Sequence, residues 1–506
     1  MVDRLDRFNN FRYIRFIFSP FGLDSDVTVV GYVLYEFAAK VTNYSFGFFI
    51  PILVADLSDM QFGNGNGRII WGYTTAIFSV TTVLLYLSCT PLMEFANFKR
   101  RALLGSCLVV SITHVLFIFC FSPPSVILAI LLVITAKSLN RVGDVAFSAF
   151  LDIIAIGKDP HEISSRSNIM GYSGMLSFIL FAVPVVAIVY FGGGEHSTVW
   201  IQGVVPIVCV GVWYLNFLRY IQAMMDPAVG VGPTMPVELT RGGSGGMFTA
   251  LYSGLLLSIK EHIANVKFIA QGLEDLGLFI LALIFLAGAA NTAVSVGAVL
   301  AVNVLKISII SLFVAFILGI VSAILGVILY RYVHNRDWLN PKQILLVNMV
   351  ILLLCALYVL KVNTFADIIV LAVVAGSQIG SVGAFTRSML SILIPADRQS
   401  RLFSFYELTQ DGTSWIGALT ISSLAVTYGG DFYREIVAYV CVVQFAIGLP
   451  ILMLVNLTRG IESRRQMEVK PAMDIYTNGN IIKEVDTPID KTAAADVVEP
   501  FERQLC

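Results

Sequence analysis

Twelve long apolar runs divide this chain of 506 residues, and they constrain its fold more than any other feature. A helix needs roughly 20 apolar residues to cross a bilayer, and each run is close to that length. Because a bilayer offers no water to backbone N–H and C=O groups, the runs must form helices that pack together. They lie near residues 28–54, 70–92, 102–121, 125–150, 169–191, 198–218, 277–299, 307–330, 343–360, 368–390, 403–427 and 436–457.

The order of the runs predicts an all-α polytopic membrane protein with twelve transmembrane helices in two six-helix halves. A stretch rich in Gly and Pro, residues 222–248, separates the sixth run from the seventh and is typical of a linker. NRVGDVAFSAFLDII (140–154) is similar to GSVGAFTRSMLSILI (380–394), which indicates a parallel duplication with a site between the halves. We expect an N-terminal half (1–218), a cytosolic linker loop (219–267), a C-terminal half (268–458) and a disordered cytosolic tail (459–506).

Composition and motifs exclude several classes of function. Hydrophobic residues make up 57% of the chain and charged residues only 13%, whereas globular domains carry about 25% charged residues. The 33 basic and 34 acidic residues nearly cancel, so we expect no nucleic-acid partner. The sequence has no GxxxxGK[ST] phosphate loop, no Ser/His/Asp arrangement and no CxxC pair. We therefore predict that the protein is not an enzyme and has no cofactor and no metal site.

Lys and Arg predict the orientation in the membrane, because cytosolic loops are enriched in these residues. They concentrate in the N-terminal segment and in the loops near 98–101, 155–167, 219–267, 331–342 and 394–401. The loops on the other side hold Arg68, Lys306, Lys361 and Arg434. This asymmetry predicts that both termini face the cytosol.

Two pairs of ionisable residues lie inside predicted spans, where each charge costs roughly 2.5–3.5 kcal/mol on insertion scales. Glu36 and Lys40 in the first span are four residues apart, so they share one helix face. Arg141 and Asp144 in the fourth span are three residues apart and also share a face. We expect both pairs to bind substrate between the halves. The alternative is internal pairing that only holds helices together.

Further polar residues lie in the second half. Asn291 and Thr292 in the seventh span are candidates to bind substrate, but Asn and Thr also join helices in membranes. A group of charged residues surrounds the end of the tenth span and the start of the eleventh: Arg387, Arg398, Arg401, Glu407 and Asp411. We expect this group to form a gate at the cytosolic face, with lipid contact of Arg387 as the alternative.

The stretch FTRSMLSILIPADRQSRLFSFYELTQDGTSWIG (385–417) resembles a pattern of the vacuolar amino-acid effluxers related to autophagy-related protein twenty-two, within the major facilitator superfamily. The matching residues are Arg387, Ser388, Leu393, Ile394, Pro395, Phe405, Tyr406, Leu408, Thr409, Ser414, Trp415 and Gly417. The segments YEFAAK (35–40), FSAFLDIIA (147–155) and ISSRSNIMGYSG (163–174) are also similar to segments of that family. The resemblance thus covers both halves of the chain.

This resemblance implies a major-facilitator-type bundle that moves neutral amino acids across a vacuolar or lysosomal membrane toward the cytosol by alternating access. Glu36 would then hold the amine of the substrate, and Lys40 or Arg141 would hold its carboxylate. We expect a monomer in contact with membrane lipid, with protons as the candidate coupling ion and the plasma membrane as the second choice of location. Three alternatives stay open: a carrier of a sugar, nucleoside or organic ion, a lipid carrier, and a non-transporting receptor or scaffold.

Overall fold

The computed structural model describes residues 27–63, 65–89, 96–120, 124–154, 160–192, 204–224, 259–260, 262–305, 307, 309–395, 402, 405–406, 414–429 and 432–477. These residues are helical apart from short turns, and residues 262–272 form a helical segment before the eighth helix. The main helices are α1 (Val27–Gly47), α2 (Phe49–Phe62), α3 (Asn66–Cys89), α4 (Ala96–Leu116), α5 (Val126–Ile154), α6 (Pro160–Gly192), α7 (Val205–Met224), α8 (Glu274–Val299), α9 (Ile309–Asn335), α10 (Pro341–Tyr358), α11 (Phe365–Leu393), α12 (Ser414–Tyr428), α13 (Tyr433–Leu454) and α14 (Leu457–Thr477).

Ten helical segments in the described part of the chain are long and apolar enough to cross a membrane. Two shorter apolar helices, within α7 and α12, lie at the sixth and eleventh predicted positions and complete the twelve. The prediction of an all-α membrane protein with twelve spans is therefore confirmed. The first span is broken at Phe48 between α1 and α2, because Pro51 has no N–H to donate to the Gly47 carbonyl four residues earlier.

The two halves repeat the same packing between helices. α1 packs on α6 and α7, and α8 packs correspondingly on α12 and α13. α4 packs on α5 and α7, and its equivalent α10 packs on α11 and α13. Likewise, α3 packs on α5, and α9 packs on α11. Each pair in the first half has its equivalent six spans later. This is the arrangement that a parallel duplication produces.

The halves meet along two pairs of helices. α3 packs on α12, and α6 packs on α9. Trp71 on α3 also donates its indole N–H to the Ser295 carbonyl on α8 at 2.9 Å. α8 contacts both α1 and α2, so the first and seventh spans face one another between the two pairs. Residues at the centre of this interface are placed to contact a solute from both halves.

Glycines let α9 and α11 approach each other backbone to backbone. A Cβ at Gly326 on α9 would collide with the Ser377 carbonyl on α11, and a Cβ at Gly380 on α11 would collide with the Ala323 carbonyl on α9. Close approach of this kind increases dispersion contacts, which drive helix association where lipid removes the hydrophobic effect. The glycine-rich stretch GSQIGSVG (376–383) therefore serves helix packing at Gly380.

Gly326→Ala should lower the free energy of unfolding by about 1–3 kcal/mol, because the added methyl group forces the two backbones apart. Thermal unfolding in detergent micelles would measure the change. Gly105→Ala is the matched control, since Gly105 lies on the exposed face of α4 and its Cβ would meet no atom within 4 Å. Equal melting temperatures for the two variants would contradict the packing role of Gly326.

The sequence predicts a disordered tail from residue 459, and the structure corrects this prediction for the first part of the tail. Residues Leu457–Thr477 form α14, which contacts α8 and α11. Arg459 pairs with Asp275 in the first turn of α8, and Gly460 packs directly against Leu393 at the end of α11. The polar composition of this segment indicated disorder, but contacts with distant parts of the chain hold it in place.

Candidate functional site

A cavity of about 440 Å³ lies between the two halves. α1 and α6 line it from the first half, and α8, α9, α10, α11 and α13 line it from the second. Among the described lining residues, the first half contributes four with polar side-chain atoms: Lys40, Asn43, Tyr44 and Tyr172. The cavity has the position between the halves that the duplication predicts for a binding site.

Glu36 and Lys40 form an ion pair beside this cavity, and of the two only Lys40 is among the described lining residues. Lys40 Nζ lies 3.2 Å from Glu36 Oε1, and Glu36 is only 6% exposed. From α6, Asn168 accepts a hydrogen bond from Lys40 at 3.4 Å, and the Tyr172 ring centre lies 5.2 Å from the Lys40 ammonium. Gly171 allows this approach, since a Cβ there would lie 3.0 Å from Glu36 Cγ. The predicted pair thus forms, and α6 supplies further partners.

Arg141 and Asp144 form a second ion pair on α5. Arg141 Nη1 lies 3.1 Å from Asp144 Oδ2, and Asn140 donates to the same oxygen at 3.3 Å. Asn140 also donates to Asn43 Oδ1 at 3.1 Å and accepts from the Thr42 hydroxyl at 2.8 Å. Arg141 and Asp144 are not among the described lining residues, whereas Asn43 is. This pair therefore connects to the cavity through Asn140 and Asn43.

Asn291 and Thr292 do not line the cavity among the described residues, although their neighbours on both sides do. Thr292 is fully buried against Gly417 on α12, and its hydroxyl donates to the Gly288 carbonyl at 2.7 Å. The contact with α12 turns this face of α8 away from the cavity. The Thr292 hydroxyl therefore serves helix packing in this conformation.

Of the predicted gate residues, Arg387 lies in the described part of the chain. It is half-buried on α11. Arg398, Arg401, Glu407 and Asp411 lie outside the described residues. Arg387 lies six residues before the end of α11.

Four site residues were not selected from the sequence: Asn43, Tyr44, Asn168 and Tyr172. Asn43 lies one helical turn after Lys40, so the spacing that joins Glu36 to Lys40 would also have found it. Asn168 and Tyr172 share a face of α6 at the same spacing. Nothing near them in the sequence shows that this face contacts α1, because that contact depends on tertiary packing.

An aromatic cluster crosses the interface between the halves. It lies near the break in the first span, toward the end of the bundle where α2 ends at Phe62 and α3 begins at Asn66, which we call the far end. The ring centres of Phe48 and Phe316 are 4.3 Å apart, and those of Phe49 and Phe313 are 5.4 Å apart. Tyr44 packs edge-on against Phe316 at 5.1 Å. The cluster joins α1 and α2 to α9 beside the cavity.

This fold is shared by solved transporters of the major facilitator superfamily. The inward-open xylose transporter XylE from E. coli matches 87% of this chain and 99% of its own length, with a TM-score of 0.57 and 11% identity. XylE bound to 6-bromo-6-deoxy-D-glucose gives a TM-score of 0.54 with the same coverage and 12% identity. The chain is therefore a multi-pass membrane protein with the fold of these transporters.

Comparison of the sequence with family models identifies the family of this chain. The family model described as "Vacuole effluxer Atg22 like" matches residues 157–465, and the chain belongs to this family. Autophagy-related protein 22 of Kluyveromyces lactis is 22% identical over 79% of this chain and 84% of its own length. Autophagy-related protein 22 of Pyricularia oryzae is 26% identical over 59% of this chain and 44% of its own length. The resemblance seen in the motifs is therefore confirmed.

Proposed function

We propose that this protein is a secondary transporter that moves neutral amino acids from the lumen of a vacuole- or lysosome-type organelle to the cytosol by alternating access. The observation that carries the proposal is Lys40 in the lining of an otherwise mostly apolar cavity between the halves, paired there with the buried carboxylate of Glu36. An isolated charge in such a place is costly, and intramembrane ionisable residues mark solute pathways.

The pair suits a zwitterion. The substrate ammonium would be held by the Glu36 carboxylate, and the substrate carboxylate would accept hydrogen bonds from Lys40. Each protein charge then exchanges one ionic partner for another, so neither is left buried and unpaired. Arg141, linked through Asn140 and Asn43, is the second candidate for the carboxylate. Asn168 and Tyr172 would keep the Lys40 ammonium in place while the partner changes.

The rest of the cavity favours an amino acid over a sugar. Apart from Cys355 and Cys441, the described lining residues of the second half have no polar side-chain atom. A site that binds a sugar needs hydrogen-bonding groups for many hydroxyls, because each unpaired buried hydroxyl costs free energy. A neutral amino acid places its polar groups at one end and its side chain at the other.

Alternating access would use the two ends of the interface in turn. We propose that the aromatic cluster of Tyr44, Phe48, Phe49, Phe313 and Phe316 closes the far end while the solute is released toward the opposite, predicted cytosolic end. We propose that Arg387, together with Arg398, Arg401, Glu407 and Asp411, closes that opposite end in the alternate state. Protons remain the proposed coupling ion, and both termini are proposed to face the cytosol.

Counterflow in proteoliposomes tests the function. Vesicles preloaded with unlabelled neutral amino acids should show a transient peak of labelled leucine and tyrosine uptake, because an alternating-access carrier exchanges external for internal substrate. Protein-free vesicles are the first control, and vesicles preloaded with glucose or xylose are the second. A folded protein that gives no peak with any neutral amino acid would overturn the proposed substrate. Retained binding without counterflow would instead support the receptor alternative.

A further inference from the structure

The two halves contribute different chemistry to the cavity. The polar lining atoms of the first half belong to Lys40, Asn43, Tyr44 and Tyr172. Among the described residues, the second half contributes apolar side chains and two thiols, and many of its lining residues are Ala or Gly. A solute held by the Glu36–Lys40 pair would therefore direct its apolar part toward the second half.

α8 forms part of this apolar wall, and its regular hydrogen bonding ends there. The residues after Val299 form a short π-helix, in which Leu305 N–H bonds to the Leu300 carbonyl at 3.0 Å. Leu300, Ala301 and Leu305 line the cavity. Single π-helical turns occur frequently at functional sites, because they alter which side chains face a ligand. The part of the wall that α8 supplies thus departs from regular helix geometry.

Gly297, one turn before this π-helix, differs from the other glycines of the lining. A Cβ at Gly297 would meet no atom within 4 Å, so the missing side chain leaves open space. Gly376 has its Cβ position blocked by the Gly319 carbonyl at 2.5 Å, and Gly47 faces Val294 at 3.2 Å. Those glycines permit helix contacts, whereas Gly297 leaves volume for a ligand.

We propose that Gly297 sets the largest side chain that the transporter accepts, while the first half holds the charged groups of the same substrate. This rests on the proposed function and adds to it a residue that determines specificity. An apolar cavity of about 150 Å³ is enough to hold benzene. The cavity of about 440 Å³ therefore has room for an amino acid with a large apolar side chain, provided that residue 297 stays small.

Gly297→Leu should shift selectivity toward small substrates. In counterflow, uptake of labelled tyrosine and leucine should fall about tenfold or more relative to uptake of labelled alanine, since a pocket contact of this size discriminates roughly 10–200-fold. Gly297→Ala should also lower uptake of tyrosine and leucine relative to alanine, but by a smaller factor. Gly105→Leu is the matched control, because Gly105 is also open but lies on the exposed face of α4, outside the described lining. It should keep the wild-type selectivity.

A second experiment, chemical modification of a cysteine, does not depend on Gly297→Leu. In Gly297→Cys, a small methanethiosulfonate reagent should modify residue 297, and excess leucine should slow the modification, as measured by mass spectrometry of the peptide that contains it. Absence of counterflow in the wild-type protein would overturn the proposed function. Wild-type counterflow with unchanged selectivity in Gly297→Leu and no leucine protection in Gly297→Cys would overturn this inference alone.

Discussion

Removing both charges of the Glu36–Lys40 pair should abolish amino-acid counterflow while the protein stays folded. In the double variant Glu36→Gln/Lys40→Met, neither end of a zwitterion finds its ionic partner. Hydrogen bonds to charged groups contribute about 1.5–3 kcal/mol each, so losing two of them costs roughly a hundredfold or more in transport efficiency. Stability should change little, since exchanging a buried ion pair for uncharged groups is often neutral or stabilising.

The single variants separate transport from folding. Lys40→Met leaves the Glu36 carboxylate unpaired at 6% exposure, and breaking a buried pair from one side costs about 3–5 kcal/mol. Glu36→Gln leaves an ammonium that keeps Asn168 and Tyr172 and whose side chain is more accessible, so it should cost less. The double variant should recover most of the stability lost in Lys40→Met. Thermal unfolding in detergent, arranged as a double-mutant cycle, measures this recovery.

A matched pair elsewhere provides the control. Arg434 and Glu435 lie 3.0 Å apart at the start of α13, outside the described cavity lining, with side chains about one-third exposed. Exposed pairs of this kind contribute only about 0–1 kcal/mol. Arg434→Gln/Glu435→Gln should therefore leave counterflow unchanged. Full counterflow by the Glu36→Gln/Lys40→Met protein would show that the buried pair does not bind substrate.

The twelve spans could be predicted from the sequence because the cost of unsatisfied backbone groups in a bilayer fixes both the length and the helical form of each run. The Glu36–Lys40 and Arg141–Asp144 pairs followed from helical spacing, since both partners lie on one helix. These features depend on local helix geometry and on the bilayer that surrounds the helices. Neither requires knowledge of which helices are neighbours.

Features that depend on contacts between distant helices could not be predicted. The apolar residues of α8 are spread over all of its faces, so hydrophobic periodicity does not show that Thr292 faces α12 while Gly297 faces the cavity. Asn168 joins the site only because α6 packs on α1. In the same way, the first part of the tail is held against the bundle by a contact between Arg459 and Asp275, which lie 184 residues apart in the sequence.

The contact between Arg459 and Asp275 is the second interaction whose loss should have a large effect. Asp275 is 2% exposed in the first turn of α8, and its two oxygens accept hydrogen bonds from Arg459 at 2.7 and 2.8 Å. The Asn456 N–H also donates to it at 2.7 Å. Arg464 on the same helix α14 donates to the carbonyls of Ser391 and Ile392 at the end of α11. α14 thereby ties the ends of α8 and α11 together.

Arg459→Ala should lower the free energy of unfolding by about 3 kcal/mol, the lower end of the range for a broken buried pair. The effect is limited because the Asn456 N–H and the positive end of the α8 dipole still stabilise the carboxylate. Glu462→Ala, at an exposed position on α14, should change stability by no more than about 0.5 kcal/mol. The double variant Asp275→Ala/Arg459→Ala should be more stable than Arg459→Ala, because it removes the stranded charge. Thermal unfolding and protease cleavage within α14 measure both effects, and equal melting temperatures for Arg459→Ala and Glu462→Ala would contradict the role of this contact.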